Sequence, residues 1–344
     1  MTIRLGFGLI SCQRYPGETR TVVELYAAAL ELAQDAEALG FDSVWVSEHH
    51  FVDDGYLPSL LPMCAAIAAR TQRVEVGTAL LLAPLYEPLR LAEDAAVTDV
   101  LANGRLLLGI GLGWREEEFD ALGIRLRERV RRLEDSIVVC RQAWAGAAVT
   151  GGRARAYPDV HVTPLPARRG GPPIWIGGLS EPAARRAGRL ADGFMATEVT
   201  PASLAEQVAW VREEAQRAGR DPGSPTISVH LPTYVHDGDP EAGWREVLPF
   251  HRYVGWKYED MDAARSRPAG SPVPPPFDAE EESALREQIV FGDAVAVAAR
   301  IREFASAAGG DVHFIARLYW PGMPQDRQRG LLRRFAEGVL PLLG

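Results

Sequence analysis

From Asp42 to Phe51 the chain reads Asp-Ser-Val-Trp-Val-Ser-Glu-His-His-Phe, a strand-like run that ends in one carboxylate and two imidazoles. Val44, Trp45 and Val46 suit a buried strand. Packing alone gives no reason to set Glu48, His49 and His50 at its end. Adjacent residues on an extended chain point to opposite sides, so one histidine is expected to face a cavity and the other to serve the scaffold. An imidazole there can hold or give a proton near neutral pH. No metal is expected, because His161, His230, His236, His251 and His313 show no ligand spacing. Cys12, Cys64 and Cys140 are far apart and form no CxxC pair, which points to neither a zinc cluster nor a disulfide framework.

Two glycine-rich stretches carry a second kind of chemistry. Gly109-Ile110-Gly111-Leu112-Gly113 has the outline of a dinucleotide fingerprint, but Trp114 or Glu116 stands where a third glycine or alanine is needed. These glycines are better read as letting a flat ligand lie close to the backbone. Ile176-Gly177-Gly178-Leu179-Ser180-Glu181 opens a helix. Free amides at such a start suit a phosphate, and Ser180 as a simple cap would share that geometry. Trp114-Arg115-Glu116-Glu117-Glu118-Phe119 reads as an acidic helix start on a solvated face, its carboxylates offsetting the helix dipole, with Trp114 able to wall a cavity.

These groups need a scaffold that brings them together. Short apolar runs at 3–9, 42–46, 74–80, 106–112, 174–178, 193–196, 226–235 and 312–318 alternate with helical patterns. Such runs mark parallel strands covered on both faces. Eight strand–helix units predict a (β/α)8 TIM barrel of the α/β class, with a doubly wound open sheet as the alternative. One domain spans 1–344, with a hairpin-like insertion near 147–163. Residues 237–288 are expected to be irregular, and their proline density predicts a mobile loop or lid. A barrel carries its site at the C-terminal ends of its strands. Those ends are Leu9–Ser11, Ser47–His50, Ala79–Leu82, Leu112–Trp114, Gly177–Ser180, Thr197, His230 onward and Arg317–Trp320. Ser11, Leu82, Trp256 and Trp320 are candidates for a substrate pocket, and core or subunit contacts are an equal reading for the tryptophans.

The bulk numbers exclude other classes. With 37 basic and 46 acidic residues the net charge is -9, which argues against a nucleic-acid partner. No apolar run approaches membrane-span length. The first residues read as a strand and not as a secretory signal, so a soluble cytoplasmic protein is expected.

Six motifs together resemble the bacterial luciferase-like flavin-dependent monooxygenases. They are Val44–Phe51, Val76-Gly77-Thr78-Ala79, Pro88–Glu93, Asn103–Leu106, Gly109–Trp114 and Ile174–Gly178, in the family's order across nearly the whole chain. The resemblance implies a luciferase-like barrel with a mobile lid insertion near 251–290, reduced FMN over its strand ends and His49 as the active-site histidine, oriented by Glu48 or a backbone group. It implies cofactor contacts from Thr78, Ala79, Leu80, Leu112, Gly113, Trp114, Gly177, Gly178, Leu179 and Ser180, and a cis peptide at Ala79-Leu80. Leu112 and Leu179 depart from luciferase, which has a phosphate-binding arginine and a glutamate there. The deazaflavin coenzyme F-420 is therefore an alternative carrier, supported by the Gly177-Gly178 stretch with Arg185-Arg186. Reduced FMN would make the protein a two-component monooxygenase, fed by a separate NAD(P)H:flavin reductase and oxidising a small organic substrate with O2 through a C4a-(hydro)peroxyflavin. The deazaflavin would make it a hydride-transfer oxidoreductase, and a non-catalytic flavin-binding barrel is the third reading. A homodimer is also implied.

Overall fold

Each apolar run of the sequence becomes a strand because its residues can be covered on both sides at once. The computed structural model describes residues 1–152, 155–263 and 274–344. In chain order the elements are β1 (Ile3–Ile10), α1 (Val22–Ala38), β2 (Ser43–Val46), α2 (Leu60–Arg70), β3 (Glu75–Thr78), α3 (Pro88–Leu101), β4 (Leu106–Ile110), α4 (Glu116–Ala121) and α5 (Arg129–Trp144). Then come β5 (Val149–Gly151), β6 (Ala156–Val160), β7 (Ile174–Gly177), α6 (Glu181–Leu190), β8 (Gly193–Thr197), α7 (Pro201–Arg217), β9 (Thr226–Val235) and α8 (Pro240–Ala263). The chain ends with α9 (Ala279–Glu287), β10 (Val290–Gly292), α10 (Ala294–Ala307), β11 (Val312–Arg317), α11 (Gln325–Gly338) and α12 (Leu340–Leu343).

Eight strands pair in parallel in the ring β1-β2-β3-β4-β7-β8-β9-β11, and β11 returns to β1 with Ile3 opposite Val312. The ring is a (β/α)8 barrel with helices packed around it. β5 and β6 form a separate antiparallel pair. No helix among the described residues is long and apolar enough to cross a membrane.

The region expected to be irregular is largely helical. α8 and α9 occupy 240–263 and 279–287, and β10 adds to the outer edge of β9 with Val290 opposite Thr233. Trp244, Val247 and His251 give α8 a buried face at helical spacing. Pro249 inside that helix, and the prolines beyond it, hide the period in the sequence. Residues 264–273, most of the proline-dense stretch, lie outside the described residues.

The barrel interior is filled, not hollow. Trp45 and Trp175 meet inside it with ring centroids 5.2 Å apart, and His313 stands edge-on to both at 5.6 and 5.4 Å. Leu9, Ala79, Leu107, Met195 and Ile315 complete this inner cluster. Burying one such indole contributes about 4 kcal/mol at ~25 cal/mol per Å2. Neighbouring strands make room with glycine: a Cβ on Gly77 would lie 2.2 Å from the Trp45 ring. Ser43 Oγ accepts from Trp45 Nε1 at 2.7 Å and meets His313 Nε2 at 2.7 Å, while His313 Nδ1 has no hydrogen-bond partner among the described residues.

Gly77→Ala is expected to destabilise by about 1–3 kcal/mol through overpacking, whereas Gly330→Ala, with open space at its Cβ on α11, should stabilise by up to ~1 kcal/mol. Denaturant unfolding of the two variants checks both signs. A second expectation concerns acid. Burial, and then the charge of Arg4, pulls the pKa of His313 from 6.5 down to about 3. The unfolded chain binds a proton there that the folded chain refuses. The contribution of His313 is therefore full above pH 6.5 and is lost as pH falls toward 3. Unfolding midpoints should drop through that window, and less steeply in His313→Gln.

Candidate active site

β2 ends at Val46, and the next residues carry its direction onto the rim of the barrel mouth. His49 and Glu48 are both buried there, at 6% and 3% exposure, and they part company. Glu48 turns into the wall. Its Oε1 sits 2.9 Å from His50 Nε2 and 3.3 Å from the Leu82 N–H, and its Oε2 accepts from Tyr86 Oη at 3.2 Å. Burial raises the Glu48 pKa against the pull of His50. His50 in turn is raised, because the hydrogen bond and charge of Glu48 outweigh the opposing effect of burial. The contact between them fixes the rim. Glu48 was expected to orient His49; it is spent on His50, Leu82 and Tyr86 instead.

The carboxylate that reaches His49 comes from α4. Glu118 Oε1 lies 3.0 Å from His49 Nδ1 and accepts from the His50 backbone N–H at 2.8 Å. Glu118 is completely buried, and its Oε2 has no hydrogen-bond partner among the described residues. A carboxylate oxygen accepts, so this contact favours a proton on Nδ1 and leaves Nε2 turned away from Glu118. Arg115 locks the same turn by donating from Nη1 to the His50 carbonyl at 2.6 Å. The acidic run was expected to be a solvated face. Glu116 is exposed, but Glu118 and Phe119 form the inner face of α4. The large apolar Phe119 beside it was the available signal that this side of the turn is buried.

Three aromatic rings surround His49. Tyr56, Tyr258 and Trp114 stand nearly perpendicular to the imidazole at 4.9, 5.4 and 6.0 Å between centroids. The Tyr56 hydroxyl is 2.8 Å from Ser47 Oγ and 3.2 Å from the Tyr258 hydroxyl. Tyr258 belongs to α8, so this helix roofs the mouth. Its hold is polar: Tyr253 Oη donates to Asp54 Oδ2 at 3.0 Å, and Lys257 Nζ to Asp53 at 2.5 Å and Asp260 at 3.2 Å.

This architecture can be set against known proteins. A family model described as luciferase-like monooxygenase matches residues 5–311. The chain belongs to the luciferase-like monooxygenase family. The oxygenase component of a flavin-dependent trigonelline monooxygenase from Acinetobacter baylyi is 27% identical, covering 97% of this chain and 94% of that one. An F-420-dependent glucose-6-phosphate dehydrogenase from Kineococcus radiotolerans is 31% identical, covering 91% of this chain and 92% of that one. The crystal structure of the monooxygenase RslO1 from Streptomyces bottropensis shares the fold, with a TM-score of 0.85 at 24% identity over 100% of each chain. This luciferase-like chain is thus an oxidoreductase whose relatives divide between flavin and deazaflavin carriers.

Within the luciferase-like barrel, the expected cofactor residues sort by accessibility. Thr78 is fully buried and its hydroxyl donates to the Gly109 carbonyl at 2.7 Å, so its side chain lies inside the wall. The Ala79-Leu80 peptide is cis. The Leu80 side chain spreads over the glycines of the next two strands, and a Cβ on Gly111 or Gly177 would approach it to 3.0 or 2.3 Å. Those glycines therefore admit Leu80, and any flat ligand would rest on Leu80 and not on bare backbone. Leu112 packs partly into the core, Gly113 accepts from Arg129 Nη1 at 3.1 Å, and Trp114 is exposed beside His49. Gly178 is half-buried, and Leu179 and Ser180 are exposed at the start of α6, where no side chain caps the helix.

The pocket candidates are all buried. Ser11 is buried and donates to Gln13, and Leu82 lies under Gly113. Trp256 is buried against Tyr253 at 5.9 Å. Trp320 is buried against His251 at 5.7 Å, with its backbone N–H on Gln328. Both indoles are core residues because the helices and loops outside the strand ring close over them. Among the described residues, no group of three or more His, Cys, Asp or Glu side chains is placed to hold a metal ion.

Glu118→Ala is expected to release the His49 ring, seen by 15N NMR as loss of a single Nδ1–H tautomer, and to lower turnover about a hundredfold. Glu118→Gln keeps an acceptor oxygen and should restore part of both.

Proposed function

We propose that this enzyme is the oxygenase of a two-component monooxygenase, which takes reduced FMN from a separate NAD(P)H:flavin reductase and uses O2 to oxidise a small organic substrate. The observation that carries the reading is the His49–Glu118 pair, buried at the barrel mouth among Trp114, Tyr56 and Tyr258. When bound, the reduced flavin would supply the electrons and the oxygen activation.

The residues present suit such a group. Leu80 offers an apolar surface for a ring system, flanked by Trp114 and the glycines of β4 and β7. The uncapped start of α6, with Gly178, Leu179 and Ser180, offers amides for a phosphate. Arg186 on α6 adds a cation where Leu112 leaves one wanting. It is 8% exposed, and its Nε and Nη1 have no hydrogen-bond partner among the described residues. Its Nε lies 3.4 Å from Glu134, an ion pair without hydrogen-bond geometry. Burial, together with the charges of Arg189 and Arg129 and against the pull of Glu134, lowers its pKa. An arriving phosphate would relieve that unfavourable setting.

His49 would then hold or give a proton at Nε2, with Nδ1 fixed by Glu118. Tyr258 and the rest of α8 would keep water from the mouth. Hydride transfer with coenzyme F-420 is the second reading, favoured by the 31% identity to an F-420-dependent dehydrogenase. A cytoplasmic homodimer belongs to the first reading, and Val97, Val100 and Leu101 form an exposed apolar face on α3 that would suit it.

Titration with reduced FMN and with reduced F-420, followed by oxygen uptake, separates the readings. Tight binding of reduced FMN with oxygen consumption is expected; binding of F-420 alone with no uptake would favour hydride transfer. Arg186→Gln should weaken FMN binding about 10- to 100-fold, the loss of a charge-assisted contact. Unchanged affinity would remove Arg186 from the site.

A further inference from the structure

Alternation along β11 sends His313, Ile315 and Arg317 to the inside of the barrel. His313 and Ile315 sit in the filled interior with Trp45, and Arg317 is the next inward position, at the mouth. On the neighbouring β9, His230 lies opposite Ile315, one layer below the rim, and faces inward by the same rule.

Arg317 is half-buried, yet no described residue gives its guanidinium a hydrogen bond or a carboxylate within ion-pair distance. That is unusual in this chain. Arg105 donates to three backbone carbonyls, Arg168 to Gly104 and Glu75, and Arg220 to two carbonyls. Arg317 instead faces neutral groups. Its charge is felt by Tyr56, His230 and His251. Burial first, and then Arg317, brings the His230 pKa down to about 3, so that imidazole is uncharged at neutral pH. His251 is brought down to about 4 by the same two causes, and it bonds to the Leu285 carbonyl. His230 is 7% exposed and its Nδ1 has no hydrogen-bond partner among the described residues.

The carboxylates of the mouth and of the loop after β2 have other partners. Glu48 is held by His50, Glu118 by His49, Asp54 by Gln13 and Tyr253, and Asp53 by Lys257. A guanidinium taken partly out of water without a counter-charge is costly unless a ligand provides one. The flavin phosphate does not suit that role, because the proposed phosphate end lies beyond β7, three strands around the ring from β11.

We propose that Arg317, with His230 beside it, anchors a carboxylate of the substrate, so that the enzyme acts on a small organic acid. This rests on the functional reading above, since it places the acid over the same mouth as the flavin. The planar guanidinium fork matches the two oxygens of a carboxylate. The aromatic rings of Tyr56, Tyr258 and Trp114 around His49 suit a flat body on the acid.

The test is calorimetric binding of benzoate and nicotinate against benzamide and nicotinamide, to the full chain with and without FMN. The acids should bind at least about tenfold more tightly than the amides, the worth of one charge-assisted contact. Arg317→Gln should erase that preference and leave FMN affinity unchanged, and Arg317→Lys should keep part of it. Equal affinity for acid and amide in the unaltered protein overturns the proposal without any variant, as does a preference that survives in Arg317→Gln or an absence of binding by either acid. Loss of FMN binding by the unaltered protein would fail the functional reading, while the preference for acid over amide would still be readable on the flavin-free chain.

Discussion

Trp45 is the residue around which this barrel closes. Its indole, stacked near Trp175 and walled by Leu107, Met195 and Ile315, plugs the middle of the strand ring. A plugged ring cannot bind a ligand within itself. Every ligand must therefore lie above the plug, at the C-terminal ends of the strands. The same plug explains Gly77, whose missing side chain is the space the indole fills.

Above the plug, the mouth has two unlike halves. β3, β4 and β7 contribute Leu80, Gly109, Gly111 and Gly177, an apolar ledge with almost no side-chain relief. β2, β8, β9 and β11 contribute Ser47, Thr197, His230 and Arg317, a polar arc. His49 stands at the border, on the β2 side. A flat redox carrier suits the ledge, and a polar substrate suits the arc. α8 covers both by polar ties to the loop after β2, in which Asp53 and Asp54 take Lys257 and Tyr253. Such ties open at less cost than an apolar interface would, which suits a roof over a site that must exchange ligands.

Charge at the site is distributed by pairing. Two buried carboxylates reach the histidines, one from the same loop and one from α4, and each has taken a different one: Glu48 with His50, Glu118 with His49. The first pair is walled in and structural. The second leaves one imidazole nitrogen free toward the mouth. Two chemically similar pairs differ in their surroundings: three aromatic rings stand around His49, whereas the partner of His50 is itself tied to Leu82 and Tyr86.

Much of this was legible in the sequence. The eight apolar runs predict eight parallel strands because burial on both faces leaves no polar alternation. The ends of those runs mark the rim, and Ser-Glu-His-His at one of them has no packing purpose. The cis bond at Ala79-Leu80 follows from the family resemblance. The sequence also shows Trp45 flanked by apolar neighbours, but not that Gly77 and Gly111 exist to receive side chains from adjacent strands. Tertiary structure alone decided the partners. Glu118 lies 69 residues from His49, and whether it meets solvent or imidazole depends on the rotation of one short helix, where a single residue step turns a side chain by about 100°. Glu116 and Glu118 look alike in a string of acids and differ only in that rotation. Likewise Arg186 and Arg317 are two arginines among many until the fold leaves two Arg186 nitrogens without hydrogen bonds and Arg317 without a carboxylate among the described residues, because such gaps are set only by the arrangement of everything around a charge.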